Sequence, residues 1–84
     1  MSTKETIKLK YPVNVAGVEI TEISLRRMKA RDLKIMESRK GGDLEKSMQL
    51  VADLAEMDTA VIDELDAADF ATVSETVESF LEKA

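Results

Sequence analysis

A two-residue apolar rhythm between residues 6 and 27 constrains the fold of this chain more than any other feature of its sequence. A strand with one buried face places apolar side chains at every second position. That spacing is followed by Ile7, Leu9, Tyr11, Val13 and Val15. Ala16 and Gly17 then form a two-residue turn, because glycine tolerates the positive φ that a tight hairpin needs. The stretch is therefore predicted to be an antiparallel β-hairpin.

The alternation slips by one residue in the second strand of this hairpin. Pairing outward from the turn sets Tyr11 against Glu22, which places a charge on the apolar face. One extra residue at Thr21-Glu22 corrects the alternation, since Tyr11 then faces Ile23. We therefore predict a β-bulge near Thr21-Glu22, opposite Pro12, which has no N–H to donate to a ladder.

Residues 28–84 change to helical spacing and are predicted to form three or four helices packed against the hairpin. The first helix is expected to end at Gly41-Gly42, with Asp43 as the N-cap of the second. A wide apolar arc places the second helix at the centre of the fold. A break follows at residues 56–58, where Asp58 or Thr59 caps a short turn. The predicted fold class is α+β, in a single small domain spanning residues 1–84.

The last helix is predicted to begin at Asp66, with Asp69 in the N3 position of an approximate capping box. Its apolar face carries Phe70, Val73, Val77, Phe80 and Leu81. A core helix that closes over the hairpin explains this face, and so does a partner-binding surface. Both interpretations stay open, above all for the last two apolar residues.

The composition argues against catalysis and metal chemistry. The chain has no cysteine and no histidine, which removes a thiol nucleophile, the usual base near neutral pH and the ordinary zinc ligands. No catalytic residue, metal ligand or cofactor is predicted. No apolar run approaches the roughly 20 residues that a membrane helix needs, and the expected location is the cytoplasm.

The charges divide sharply along the chain. Residues 1–42 hold ten basic and five acidic residues, a net charge of +5, and residues 43–84 hold two basic and twelve acidic residues, a net charge of −10. Such asymmetry suits charge-steered association, including self-association of copies, but two solvated faces explain it as well. The densest basic run lies where the hairpin leads into the first helix: Arg26, Arg27, Lys29, Arg31 and Lys34.

This basic run raises the possibility of nucleic-acid binding through phosphate contacts. No aromatic residue is interleaved for base stacking, and the acidic half would repel a duplex. A protein partner is therefore favoured. Candidate partner-binding residues are taken from the basic run and from the apolar face of the last helix: Arg26, Arg27, Lys29, Arg31, Phe70, Val77, Phe80 and Leu81.

Two further features are suited to protein contacts. A two-stranded hairpin has strand edges with unpaired backbone groups, at which another chain can add a strand. Met28, Met36 and Met48 are predicted to lie together at the junction of the first two helices, where flexible thioethers adapt to a partner. Filling gaps in an ordinary core explains the methionines equally well.

Three motifs resemble those of the tail assembly chaperones of contractile-tailed phages and prophages. They are Y-P-V-x-V-x-G-V-E-I-T in the hairpin, L-R-R-x-K-x-R-D-L at the exit into the first helix, and E-L-D-x-A-D-F at the start of the last helix. The resemblance covers roughly residues 6–81. None of the motifs is a catalytic signature, and the resemblance itself assigns no functional residues.

The resemblance implies a small protein of the bacterial host cytoplasm that acts during phage morphogenesis. Such a protein associates with the tape measure protein and helps tail tube subunits to assemble around it, without remaining in the finished tail. The tail tube protein is then a second expected partner. The alternative hypothesis is a small nucleic-acid-binding or regulatory protein that uses the basic N-terminal half.

Overall fold

The computed structural model describes residues 4–81, whose elements form an α+β fold. This confirms the predicted class, a two-stranded antiparallel hairpin followed by four helices. The Cα atoms span 34 × 32 × 22 Å. In chain order the elements are β1 (Glu5–Val15), β2 (Val18–Leu25), α1 (Ala30–Ser38), α2 (Asp43–Ala55), α3 (Thr59–Asp63) and α4 (Ala67–Ser79).

The turn between β1 and β2 has the two residues that the sequence predicts. Ala16 and Gly17 both have positive φ, 52° and 81°, the combination found in the tight turns that match the twist of a hairpin. The side-chain oxygen of Asn14 accepts a hydrogen bond from the N–H of Gly17 at 3.2 Å. Local sequence is therefore sufficient to specify this end of the hairpin.

The register of the hairpin shifts at the predicted level, but the extra residues lie in the other strand. Val13 pairs with Ile20 near the turn, and Lys8 pairs with Glu22 beyond the shift. Four residues of β1, 9–12, therefore face Thr21 alone. The predicted extra residue in β2 is wrong, because the irregularity forms in the strand that contains proline, which cannot donate to the ladder.

The shift removes Tyr11 from the apolar face on which the alternation had placed it. Ile7, rather than Tyr11, pairs with Ile23, and Tyr11 is 57% exposed. Leu9 remains buried within the bulge. Directly beyond the shift, Lys8 again points to solvent and Ile7 packs against the core, so both halves of β1 contribute apolar side chains to the core.

A buried carboxylate of α4 binds the backbone of this bulge. Asp69 accepts hydrogen bonds from the N–H of Lys10 at Oδ1 and of Tyr11 at Oδ2, each at 3.0 Å. Its side chain is therefore not available for the predicted capping box with Asp66. Asp66 does cap α4 as predicted, accepting from the N–H of Ala68 at 2.9 Å.

The boundaries of α1 and α2 differ by a few residues from the prediction. α1 ends at Ser38, before Gly41-Gly42, because the backbone of Arg39 is extended. The Arg39 guanidinium pairs with Asp53 of α2, with Nη2 2.8 Å from Oδ2. Gly42, rather than Asp43, is the N-cap of α2, whereas Asp58 caps α3 through the N–H of Ala60.

The core forms where α2 packs against β2 and α4 packs against β1. α2 is central, as predicted, and its backbone is tied directly to the sheet, since Arg26 N–H donates to the carbonyl of Leu54 at 3.0 Å. None of the helices within residues 4–81 has the length and apolar character needed to span a bilayer. The most deeply buried large side chains are Ile23, Leu25, Leu54, Ile62, Val51 and Val73.

We expect Asp69→Ala to destabilise the protein by about 2–4 kcal/mol, because it leaves two backbone N–H groups of the bulge without an acceptor. Urea unfolding followed by circular dichroism measures the loss. Asp66→Ala is the matched control on the same helix and removes one capping bond, which costs about 1 kcal/mol. Equal losses for the two variants would contradict the assigned role of Asp69.

Candidate functional site

An apolar groove of about 170 Å³ lies between α1, α2 and α4. We call it the α1–α4 groove. Its polar edge is formed by Ser47, Ser74 and Glu78. Its apolar lining comes from the segment before α1, from the three helices and from the residues that follow α4: Met28, Leu33, Met36, Leu50, Val51, Val77 and Leu81.

The floor of the groove is rigid and its walls are adaptable. Leu50, Val51 and Val77 belong to the buried core and are at most 6% exposed. Met28 and Met36 are partly buried, and their unbranched thioether side chains change rotamer at little cost. This confirms that two of the three predicted methionines lie together between helices. Met48 packs against the core and does not line the groove.

The last apolar residues of the chain have different environments, which answers the question that the sequence left open. Phe80 is 9% exposed and belongs to the core, whereas Leu81 is 58% exposed and lines the groove. The guanidinium of Arg27 lies over the Phe80 ring, with Cζ 5.2 Å from the centroid, at a distance typical of a cation–π contact. Arg27 therefore covers the end of α4 next to the groove.

Arg26 is held in an ion pair at the start of α1. Its Nη1 and Nη2 atoms each lie 2.9 Å from a carboxylate oxygen of Asp32, which is 3% exposed. The N–H of Lys29 donates to the same carboxylate at 2.8 Å. The hydrogen bonds from Arg26, followed by the one from Lys29, lower the pKa of Asp32 from 3.8 to about 2 against the opposing effect of burial. The same pair raises the pKa of Arg26.

The eight candidate partner-binding residues occupy four different environments. Val77 and Leu81 line the groove, and Phe70 and Phe80 pack in or against the core. The side chain of Arg26 is occupied by Asp32. The remaining basic candidates are exposed around the entrance to α1: Arg27, Lys29 and Arg31.

Sequence reasoning missed the polar edge and most of the floor of the groove. Val77 and Glu78 lie three and four positions after Ser74, and Leu81 lies four and three positions after them, which places all four on one side of α4 and its C-terminal end. That spacing is visible in the sequence, but the facing wall on α1 depends on tertiary structure. Within residues 4–81, no cluster of three or more acidic side chains is arranged to hold a metal ion.

Comparison with known protein families gives a match over most of the chain. The family described as "Phage tail assembly chaperone proteins, E, or 41 or 14" matches residues 6–82. No curated protein and no solved structure matches the chain. The matched span contains β1 from its second residue onward, β2, all four helices and every residue that lines the α1–α4 groove.

The ion pair between Arg26 and Asp32 predicts a specific loss of stability in acid. Because the pKa of Asp32 is lower in the folded protein, its contribution is complete above about pH 4 and is lost as the pH falls through about 2. A shift of this size corresponds to a contribution on the order of 2 kcal/mol. Urea unfolding of the wild type and of Asp32→Asn between about pH 6 and pH 2 measures it. A stability difference that stays constant over this range would contradict the prediction.

Proposed function

Because the chain belongs to the phage tail assembly chaperone family, we propose that it binds the tape measure protein and assists assembly of the tail tube around it. The open α1–α4 groove is the observation that supports this proposal most directly. A long helical protein exposes apolar side chains until other subunits cover them. A chaperone for such a protein needs an apolar surface of its own that remains accessible in the folded state.

The size of the groove suits transient binding. A site of about 170 Å³ takes up little apolar surface, so one copy binds weakly and dissociates readily. Many copies along one partner shield a long surface together, although each contact is modest. Release during tube assembly then requires no large energy input, and the chaperone is absent from the finished tail.

The proposed setting is the cytoplasm of the bacterial host, where the tail tube protein is a second partner. Copies of the chaperone also associate with one another through their opposite charges. Exposed Lys29, Arg31 and Lys34 lie around α1, whereas exposed Glu75 and Glu78 lie on α4. Charges of opposite sign on different elements favour head-to-tail contacts between copies.

Nucleic-acid binding through the basic half remains the second candidate function, favoured by the exposed side chains of Arg27, Lys29 and Arg31. Two other cations of this half are already engaged within the protein, since Arg26 pairs with Asp32 and Arg39 pairs with Asp53. The number of cations free to contact phosphates is reduced accordingly. A protein partner is therefore the preferred hypothesis.

We expect the tape measure protein encoded near this chain's gene to co-purify with it after co-expression in bacteria. The measurement is affinity capture on a tag at the N-terminus of the chaperone, with and without nuclease treatment. An unrelated helical protein of similar length is the control for non-specific apolar binding. Retention of nucleic acid without capture of the tape measure protein would favour the second candidate and contradict the proposal.

We expect self-association to weaken when salt is raised from about 0.05 M to about 1 M, because the screening length falls severalfold over this range. Light scattering at matched protein concentrations measures the apparent mass. The proposed charge-driven contact predicts a smaller mean mass at high salt. Oligomers of unchanged mass at both concentrations would show that apolar contacts, rather than opposite charges, hold the copies together.

A further inference from the structure

We infer that the α1–α4 groove receives one large apolar side chain from a partner helix, with a Lys or Arg of that helix placed one turn away to pair with Glu78. This inference deepens the proposed function, since it specifies which segments of the partner the groove would select. It follows from the secondary structure of the groove walls, the volume of the groove and the position of its charged residue.

The walls of the groove favour a helical partner segment. Apart from Met28 and Leu81, the lining residues belong to α1, α2 and α4, whose backbone groups are bonded within their own helices. Among the described residues, these walls therefore offer no row of free N–H and C=O groups, as a strand edge would. A segment that enters it has to satisfy its own backbone hydrogen bonds, and an amphipathic helix does so.

The volume of the groove limits what enters it. Pockets for small molecules and cofactors start at about 300 Å³, and this groove has about 170 Å³. The rigid floor formed by Leu50, Val51 and Val77 suits the buried end of a single apolar anchor. Met28 and Met36 adapt to anchors of different shape, so the groove accepts more than one apolar residue type.

Charge complementarity predicts the charge of the partner-helix residue that lies one turn from the apolar anchor. Among the described residues that line the groove, Glu78 is the one with a charged side chain, and exposed Glu75 precedes it by three positions on the same helix. Residues three or four apart lie on the same side of a helix, so the α4 wall is acidic. A basic residue one turn from the anchor reaches this wall, whereas an acidic residue there is repelled.

The test uses synthetic helical peptides of about 20 residues, long enough to hold helical structure in solution. The first has an apolar stripe with lysine one turn from a central leucine, the second has glutamate at that position, and the third has a scrambled stripe. Binding is followed by NMR of protein labelled at the methionine methyl groups. We expect the first peptide to shift the signals of Met28 and Met36, which line the groove, and to leave Met57 unchanged.

A matched pair of variants locates the site. Leu81 and Leu44 are both exposed, at 58% and 64%, but Leu81 alone of the two lines the groove. We expect Leu81→Asp to weaken binding of the lysine peptide more than about tenfold and Leu44→Asp to leave it unchanged. Urea unfolding of both variants verifies that each is folded.

The charge pair is tested separately. The lysine peptide is expected to bind the wild type roughly threefold more tightly than the glutamate peptide, as for an exposed ion pair. Glu78→Gln is expected to abolish this preference, and Glu64→Gln, at an exposed position outside the groove, to preserve it. Equal binding of the two peptides by the wild type would overturn the assignment of a basic partner.

Failure of this inference is distinguishable from failure of the proposed function. If the tape measure protein is captured equally by the wild type and by Leu81→Asp, the groove is not the docking site, although the chaperone function stands. If the tape measure protein is not captured but the lysine peptide binds the groove selectively, the groove's preference stands and the partner is another protein. If Leu81→Asp abolishes self-association and no peptide binds, the occupant is a second copy and the inference is wrong.

Discussion

The hydrogen bonds from Lys10 and Tyr11 to Asp69 connect β1, the first element of the chain, to α4, the last. A strand that contains proline and three additional residues has backbone donors that its partner strand cannot accept. The Asp69 carboxylate accepts two of them while it is 3% exposed, so neither the bulge nor the buried charge is left without partners. The same contact fixes the first turn of α4 against β1, and thereby places Val73 and Val77 in the core.

A second buried aspartate attaches α1 to the hairpin in a comparable way. Asp32 and Asp69 each occupy the third residue of a helix, and each is 3% exposed. Asp32 binds Arg26 at the end of β2, and Asp69 binds the backbone of β1. A negative charge in the first turn of a helix is favoured by the helix dipole. The two outer walls of the α1–α4 groove are therefore both held by carboxylates at helix N-termini.

What the sequence predicts correctly depends on interactions between near neighbours. The turn at Ala16 and Gly17, the caps Asp58 and Asp66, and the α+β class follow from local rules about positive φ, capping and periodicity. Local rules do not predict which strand carries the bulge, because the carboxylate that binds the bulge belongs to Asp69, 59 positions from Lys10. The groove likewise needs α1 and α4 to be placed in space, so its floor is not apparent from any single helix.

The dimensions of the fold bear on how much of a helical partner one copy shields. The longest extent of 34 Å equals the length of about 23 residues of straight α-helix. A partner several times longer is therefore covered only by a row of copies, and the number required rises in proportion to its length. For the proposed chaperone, the molar ratio of protein to partner, rather than the affinity of one groove, then determines the shielded fraction. The relative amounts in which the two proteins are made therefore decide how much of the partner is shielded.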